Sequence, residues 1–317
     1  MPTDKHIIAI DTSNYTTSVA LMNTDGELLA NLKRPLKVRE GERGLRQSDA
    51  VFLHTVNIPS VMDELHSLYP HISPVAVGVS EKPRNEEGSY MPCFLSGVAA
   101  ASAIANTLGI PLYRFSHQCG HIMAAIYSSG AEELLSGPFC AFHLSGGTSE
   151  FLSVTPTKYD FKTEILGGTS DLNAGQVIDR IGVYLGFSFP AGQQIERAAL
   201  ENDKKLPKKA ISQKGFSFNL SGLENMALKL YRDTEDKSLV SAFVLDFIYR
   251  SIDAVCEEYE SLHGKTSFVF AGGVMCNSII KRELSRRFTS YFAEPALSAD
   301  NAAGVAALTL RKFKEEV

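Results

Sequence analysis

Two histidines, His117 and His121, stand four residues apart in the stretch His117-Gln118-Cys119-Gly120-His121, which reads as the opening of a helix. At that spacing both side chains project from one face, a turn apart. Two imidazoles so placed can bind one divalent ion, the arrangement used by His-Glu-x-x-His helices. No Glu follows His117, so the general base of the peptidases built on that helix is missing and a peptidase is not expected. The third ligand has to come from elsewhere, and Asp300, at a loop-to-helix junction, is the candidate. Two imidazoles and a carboxylate suit iron, zinc or manganese. Cys119 points off the shared face and reads as structural.

A second chemistry is written in glycine. Three glycine loops occur: Leu144-Ser145-Gly146-Gly147-Thr148, Pro190-Ala191-Gly192, and Phe270-Ala271-Gly272-Gly273, which runs on to Asn277. Without a β-carbon a phosphate or nucleoside can approach the backbone, and exposed N–H groups bind anions. One such loop is an ordinary tight turn; three, two of them strand followed by Gly-Gly, point to nucleotide binding. Neither the Walker A pattern nor G-x-G-x-x-G is present. Asp171 and Asp179 flank Ala174-Gly175, and Asp179, placed opposite the apolar face of its helix, can accept hydrogen bonds from ribose hydroxyls. Two basic stretches, Lys33, Arg34, Lys37, Arg39, Arg43 and Arg46, then Lys204, Lys205, Lys208, Lys209 and Lys214, offer cations to an RNA backbone, although basic loops are usually solvated faces.

The elements that must position these groups repeat. His6–Asp11, Ser18–Met22 and Glu27–Ala30 form strand, small-residue hairpin, strand, turn, strand; Phe139–Leu144, Glu150–Val154 and Asp160–Leu166 form the same unit again. Helices are expected over Ala50–Leu68 with a break near Pro59, Leu95–Leu108, Gly175–Leu185, Leu239–Leu262, and Asn301–Phe313 behind an Asp300-Asn301 cap. Strands alternating with helices give an α/β class. The 317 residues suffice for two domains, and 31 basic against 36 acidic side chains leave a formal charge of −5, which disfavours a wholly basic nucleic-acid-coating surface. No apolar run reaches the roughly 20 residues of a membrane helix, no secretory signal opens the chain, and five widely spaced cysteines without C-x-x-C suit reduced thiols, so a cytoplasmic protein is expected.

Taken together, these residues resemble the threonylcarbamoyladenosine synthase family (TsaD-like proteins, formerly the O-sialoglycoprotein endopeptidase or peptidase M22 family). The likeness runs from Ile8-Ala-Ile-Asp-Thr-Ser13 to Asp300-Asn301 through Thr17-Ser-Val19, His54, the two histidines, Ser145-Gly-Gly147, Ala174-Gly175 with Asp179, Pro190-Ala-Gly192 with Glu196, Phe216-Ser-Phe218 and Gly272-Gly-Val274 with Asn277. The resemblance implies an actin/Hsp70/sugar-kinase-like fold with two facing domains and a nucleotide cleft between them: 1–131 plus 301–317 carrying the histidine helix, and 132–300 carrying the glycine loops. It implies His117, His121 and Asp300 as metal ligands acting in catalysis. It also implies Ser145, Gly146, Gly147, Thr148, Asp171, Gly175, Asp179, Gly192, Gly272, Gly273 and Asn277 as nucleotide or substrate contacts. The implied ligands are one divalent metal and ATP, AMP or threonylcarbamoyl-AMP. The implied reaction transfers threonylcarbamoyl from its adenylate to the exocyclic amine of the tRNA adenosine 3′ of the anticodon, or to a related acceptor, with tRNA and subunits of a tRNA-modifying complex as partners and no membrane.

The sequence departs from the family pattern near the acyl group. The first loop reads Asp11-Thr-Ser-Asn-Tyr-Thr-Thr17 where the family has Glu-Thr-Ser-Cys-Asp-Glu-Thr, Gly-Pro-Gly gives way to Glu81-Lys-Pro-Arg84, and Thr148, Leu172, Gln176 and Glu224 replace His, Asp, Glu and Lys. These changes describe a diverged paralogue. They keep two alternatives open: a nucleotide-binding, weakly catalytic assembly or regulatory subunit, and a small-molecule kinase or carbamoyltransferase on the same fold.

Overall fold

A computed structural model describes residues 5–13, 15–37, 45–299 and 302–317. Residues Met1–Glu132, Pro156–Lys162 and Ala296–Val317 form one compact unit, and Glu133–Thr155 with Thr163–Pro295 form a second. The chain begins with β1 (Lys5–Asp11), β2 (Thr16–Asn23), β3 (Leu28–Pro35), α1 (Gln47–Leu68), β4 (Ser73–Lys82), α2 (Phe94–Leu108), β5 (Leu112–Ser116) and α3 (His117–Ser129). The second unit contributes β6 (Phe139–Leu144), β7 (Ser149–Pro156), β8 (Phe161–Thr169), α4 (Ala174–Tyr184), α5 (Gly192–Leu200), β9 (Ser212–Lys214), β10 (Ser217–Asn219), α6 (Ser221–Thr234), α7 (Lys237–His263), β11 (Ser267–Ala271), α8 (Ser278–Ser285) and β12 (Thr289–Phe292). The short α9 (Pro295–Ser298) leads back to α10 (Ala303–Glu316).

The duplicated strand unit is present as read. The first sheet has the order β3-β2-β1-β4-β5 and the second β12-β11-β6-β7-β8-β10-β9. In each, a central strand (β1 or β6) pairs antiparallel with the next strand and parallel with a later one (β4 or β11), and that later strand carries a further parallel neighbour. The second sheet adds the β9–β10 hairpin to the edge of β8. Near-continuous apolar runs such as Ile7–Ile10 and Phe139–Phe142 are buried along their length, the pattern of strands covered on both faces. In the second unit Phe142, Phe151, Phe268 and Phe270 stack across β6, β7 and β11, with Phe142 and Phe270 centroids 5.4 Å apart.

Several local expectations change. Helix α1 runs unbroken through Pro59. The proline lacks the N–H that would reach the Thr55 carbonyl and its ring crowds that oxygen, but both residues are exposed, so the carbonyl can turn to solvent. Helix α10 begins at Ala303 with Ala302 in the cap position, while the proposed cap pair Asp300-Asn301 lies outside the described residues. The segment 156–162, which the sequence reading groups with residues 132–300, packs with the first unit. Asn85 Nδ2 donates to Asp160 Oδ2 and to the Phe161 carbonyl, both at 3.2 Å, and Arg311 Nη2 donates to the Thr157 carbonyl at 3.2 Å.

Candidate functional site

In the first unit, three neighbouring parallel strands deliver polar groups at their carboxyl ends. Asp11 closes β1, Ser80 lies late in β4, and β5 passes at Ser116 straight into α3, whose first residue is His117. Ser116 caps that helix, accepting from the Cys119 amide at 3.2 Å. As the four-residue spacing requires, His117 and His121 share a face, with ring centroids 4.4 Å apart in an edge-on arrangement and Nε2 atoms 3.0 Å apart. Both rings are buried, at 6% and 4% exposure, but in polar company. His117 Nδ1 lies 2.9 Å from Asp11 Oδ2. Burial pushes the Asp11 carboxyl up; electrostatic attraction to the His117 ring and hydrogen bonds from His117, Ser13 and Ser80 outweigh it and hold the group below the ordinary aspartate range.

These residues fit a metal ion. The two Nε2 atoms, within hydrogen-bond distance of each other, would present both imidazole donors to one ion. Each histidine reaches the shared point through Nε2, and the Nδ1 of His117 is already held by a carboxylate, the support metal-binding imidazoles ordinarily have. Among the described residues no group of three or more His, Cys, Asp or Glu side chains assembles for an ion; Asp300 lies outside the described residues. The start of α10, three residues beyond it in sequence, sits directly on the histidine turn: a β-carbon on Gly304 would lie 1.9 Å from the Gly120 carbonyl oxygen. Only two glycines allow backbones that close. Cys119 is structural, as read: it is buried, takes a hydrogen bond from Asn85 Nδ2 at 3.2 Å, and burial pushes its thiol far up.

In the second unit two of the three glycine loops, those at Ser145–Thr148 and Gly272, meet each other. The Ser145–Thr148 turn closes through the Ser145 amide on the Thr148 carbonyl (2.7 Å), with the Gly147 and Thr148 amides on Ser145 Oγ at 3.2 and 3.1 Å. The start of α4 leans on this turn: the Gly175 amide donates to the Ser145 carbonyl at 3.1 Å, and a β-carbon on Gly175 would stand 2.7 Å from the Gly146 nitrogen. Gly272, at φ +94°, approaches the Leu144 carbonyl so closely that a β-carbon would come within 2.2 Å. By contrast, β-carbons on Gly146, Gly147, Gly192 or Gly273 would meet nothing within 4 Å. The first set of glycines serves packing, and the second borders open space.

The acidic and polar candidates brace these loops. Asp179 is half-buried rather than turned wholly from the apolar face, and its Oδ1 accepts from the Ala191 amide at 2.8 Å, fixing the loop before Gly192. Burial pushes its carboxyl up, against that amide. Asp171 accepts from the Leu172, Leu220 and Ser221 amides at 2.6, 2.9 and 2.9 Å, tying itself to the start of α6. Asn277 caps α8 through the Ile279 and Ile280 amides, both at 3.1 Å, and Glu196 accepts from the Ser278 amide at 2.8 Å. Sequence reading missed Asp11; the only signal for it is an acid ending an otherwise apolar strand. Of the basic stretches, Arg34 pairs with Glu64 at 2.7 Å and Lys204 with Asp236 at 2.6 Å. Lys37, Arg46, Lys205, Lys208, Lys209 and Lys214 are exposed, and Arg39 and Arg43 lie outside the described residues. Lys214 also lines an open recess of about 600 Å³ with Ser170, Gln213, Ser217 and Asn219. Among the described residues no helix is long and apolar enough to cross a membrane.

Comparison with known proteins adds a family. The family model described as TsaD, tRNA N6-adenosine threonylcarbamoyltransferase, matches residues 49–307. A curated tRNA N6-adenosine threonylcarbamoyltransferase of Streptococcus suis (strain 05ZYH33) is 28% identical over 334 residues, covering 100% of this chain and 95% of its own length. The protein of the same name from Streptococcus pneumoniae (strain CGSP14) is 28% identical over 331 residues, covering 99% and 94%. Among solved structures, HypF from T. kodakarensis superimposes with a TM-score of 0.65 at 14% identity; the match covers 99% of this chain, which spans about half (48%) of that one. Component A of (R)-2-hydroxyglutaryl-CoA dehydratase from Acidaminococcus fermentans gives 0.57 at 11% identity over 98% of this chain and 99% of that one. At such identities the structural likeness establishes the fold alone, the actin/Hsp70/sugar-kinase architecture.

Proposed function

The chain belongs to the tRNA N6-adenosine threonylcarbamoyltransferase family, and from that premise we propose that it is an acyltransferase moving a threonylcarbamoyl group from its adenylate to N6 of a tRNA adenosine, with a divalent ion held by His117, His121 and Asp300. The single observation carrying the metal part is the facing pair of Nε2 atoms 3.0 Å apart, with the backbone of α10 set against Gly120 between them. In the transfer, the bond between the carbamoyl carbon and the phosphate oxygen breaks, a carbon–nitrogen bond to N6 forms, AMP departs with the electron pair and N6 gives up a proton. A bound divalent ion supplies a Lewis acid for the carbonyl and a counter-charge for the departing phosphate. Ser145, Gly146, Gly147 and Thr148, with Gly192, Gly273 and Asn277, border the open space and orient the adenylate there. Asp171, Gly175, Asp179 and Gly272 keep those loops in place. The proposed reaction is cytoplasmic, in keeping with five cysteines that form no disulfide.

The test is nucleoside mass spectrometry on tRNA incubated with the protein, threonylcarbamoyl-adenylate and divalent iron, zinc or manganese. The expected result is threonylcarbamoyladenosine from the wild-type chain, and neither product nor retained metal from His117→Ala with His121→Ala. Full activity in that double variant would end the metal reading. One observation favours a second reading, a nucleotide-binding partner subunit with little activity: the first loop carries Asn14-Tyr15-Thr16 where the family has Cys-Asp-Glu. Cells depleted of their ordinary synthase separate the two, because only the enzyme restores the modified nucleoside by itself.

A further inference from the structure

Asp11 is wholly buried, and three donors from different places in the fold converge on its carboxylate. The Ser13 amide donates to Oδ1 at 2.8 Å; the Ser80 hydroxyl donates to Oδ2 at 2.5 Å, and His117 Nδ1 lies 2.9 Å from the same oxygen. Strand pairing fixes this geometry, since β1 and β4 run parallel with Ile10 opposite Val79, and β4 pairs in turn with β5, which feeds His117. With the Ser13 N–H on Oδ1 and the Ser80 hydroxyl on Oδ2, both oxygens already accept, so the hydrogen on the edge shared with His117 belongs to the imidazole. Accordingly, we infer that Asp11 is a positioning residue: it holds His117 in the tautomer protonated at Nδ1 and so keeps the Nε2 lone pair pointed at the place shared with His121. The inference rests on the reading of His117 and His121 as ligands.

The Ser13 donor makes the assignment testable with one atom's change. A serine hydroxyl can rotate and an imidazole can exchange tautomers, but a backbone N–H can only donate. In Asp11→Asn the new amide oxygen is therefore held at the Oδ1 place by Ser13. Its NH₂ then faces His117 Nδ1 and donates to it, driving the ring proton onto Nε2. The variant keeps shape and volume while reversing the tautomer, and the lone pair that would meet an ion is gone.

The experiment has two readouts on the whole chain, neither of them activity. Nitrogen-15 NMR of metal-free protein, with the signal assigned by His117→Gln, is expected to give a His117 ring protonated at Nδ1 in the wild type and at Nε2 in Asp11→Asn. Calorimetric titration with Zn²⁺ alone, and with Fe²⁺ alone under anaerobic conditions, is expected to give affinity 10- to 100-fold lower in Asp11→Asn, the usual effect of losing a carboxylate behind a metal-binding histidine. Ser80→Ala, which retains the carboxylate and its hold on His117, should change affinity by no more than about threefold. A wild-type ring protonated at Nε2 overturns the inference, whether or not the variant folds. So does an Asp11→Asn chain that folds and binds both ions as tightly as wild type. If the wild-type chain takes up neither ion, the ligand reading fails, and the ring tautomer still decides what Asp11 does.

Discussion

Gly147 and Gly175 belong to one turn-and-helix junction, yet a methyl group would do different things at each. At Gly175 it collides with the Gly146 backbone 2.7 Å away, so Gly175→Ala is expected to cost about 1–3 kcal/mol in chemical denaturation. At Gly147 it enters open space, and Gly147→Ala should leave stability within about 0.5 kcal/mol of wild type. If the open space is where the adenylate lies, Gly147→Ala nevertheless weakens AMP binding at least tenfold by calorimetry. Unchanged AMP affinity would remove Gly147 from the nucleotide site. The histidine pair was legible in sequence because helical spacing is a local property. Asp11 was not, because its partner is 106 residues away and reaches it only through the register of three strands. Asp171 and Asp179 were legible as acids beside a glycine loop, but their backbone partners, Leu220, Ser221 and Ala191, depend on packing that spacing cannot express.

Helices α3 and α10 touch backbone to backbone at Gly120 and Gly304, and the metal reading depends on that crossing. Gly304→Ala puts a β-carbon 1.9 Å from the Gly120 oxygen, so the helices must separate. The expected outcome is a loss of about 1–3 kcal/mol together with reduced metal retention after gel filtration. A variant that is destabilised yet keeps its full metal complement would detach α10 from the centre. Helix α6 carries a pH prediction. Burial raises the Asp171 carboxyl, but the Ser221 and Leu220 hydrogen bonds outweigh it and its folded value is lowered. A lowered carboxylate stabilises above its unfolded value of about 3.9 and loses that contribution as pH falls through the folded one. Wild-type stability should therefore drop across that acid window, by a measurably smaller amount in Asp171→Asn. Most helices could be read from periodicity. The supposed break at Pro59 could not, since it turned on whether the Thr55 carbonyl had solvent to face.

At the scale of the whole molecule, the repeat visible in the sequence as strand, hairpin, strand proves to be the organising unit of both sheets, with β4 and β5 matched by β11 and β12. It was legible because buried strands must be apolar and their turns small. Membership of segment 156–162 was hidden because polar side chains such as Asn85 and Arg311 decide it. The exposed lysines near β9 give the last prediction, under the tRNA reading. Lys208→Glu with Lys209→Glu should weaken tRNA binding and flatten its dependence on salt by about one to two units of slope, leaving AMP affinity unchanged. Equal tRNA affinity would make those lysines an ordinary solvated loop. Helix α10 has a consequence for biosynthesis. Ala303–Leu310 of α10 are buried and the helix packs on α3, β1, β2 and β4, although synthesis reaches it long after α3 ends at Ser129. At the usual 5–20 residues per second the ribosome takes on the order of ten to thirty seconds to cover that interval. Throughout it the nascent first sheet waits without α10, so the Gly120 turn meets Gly304 only after every strand of both sheets has been made.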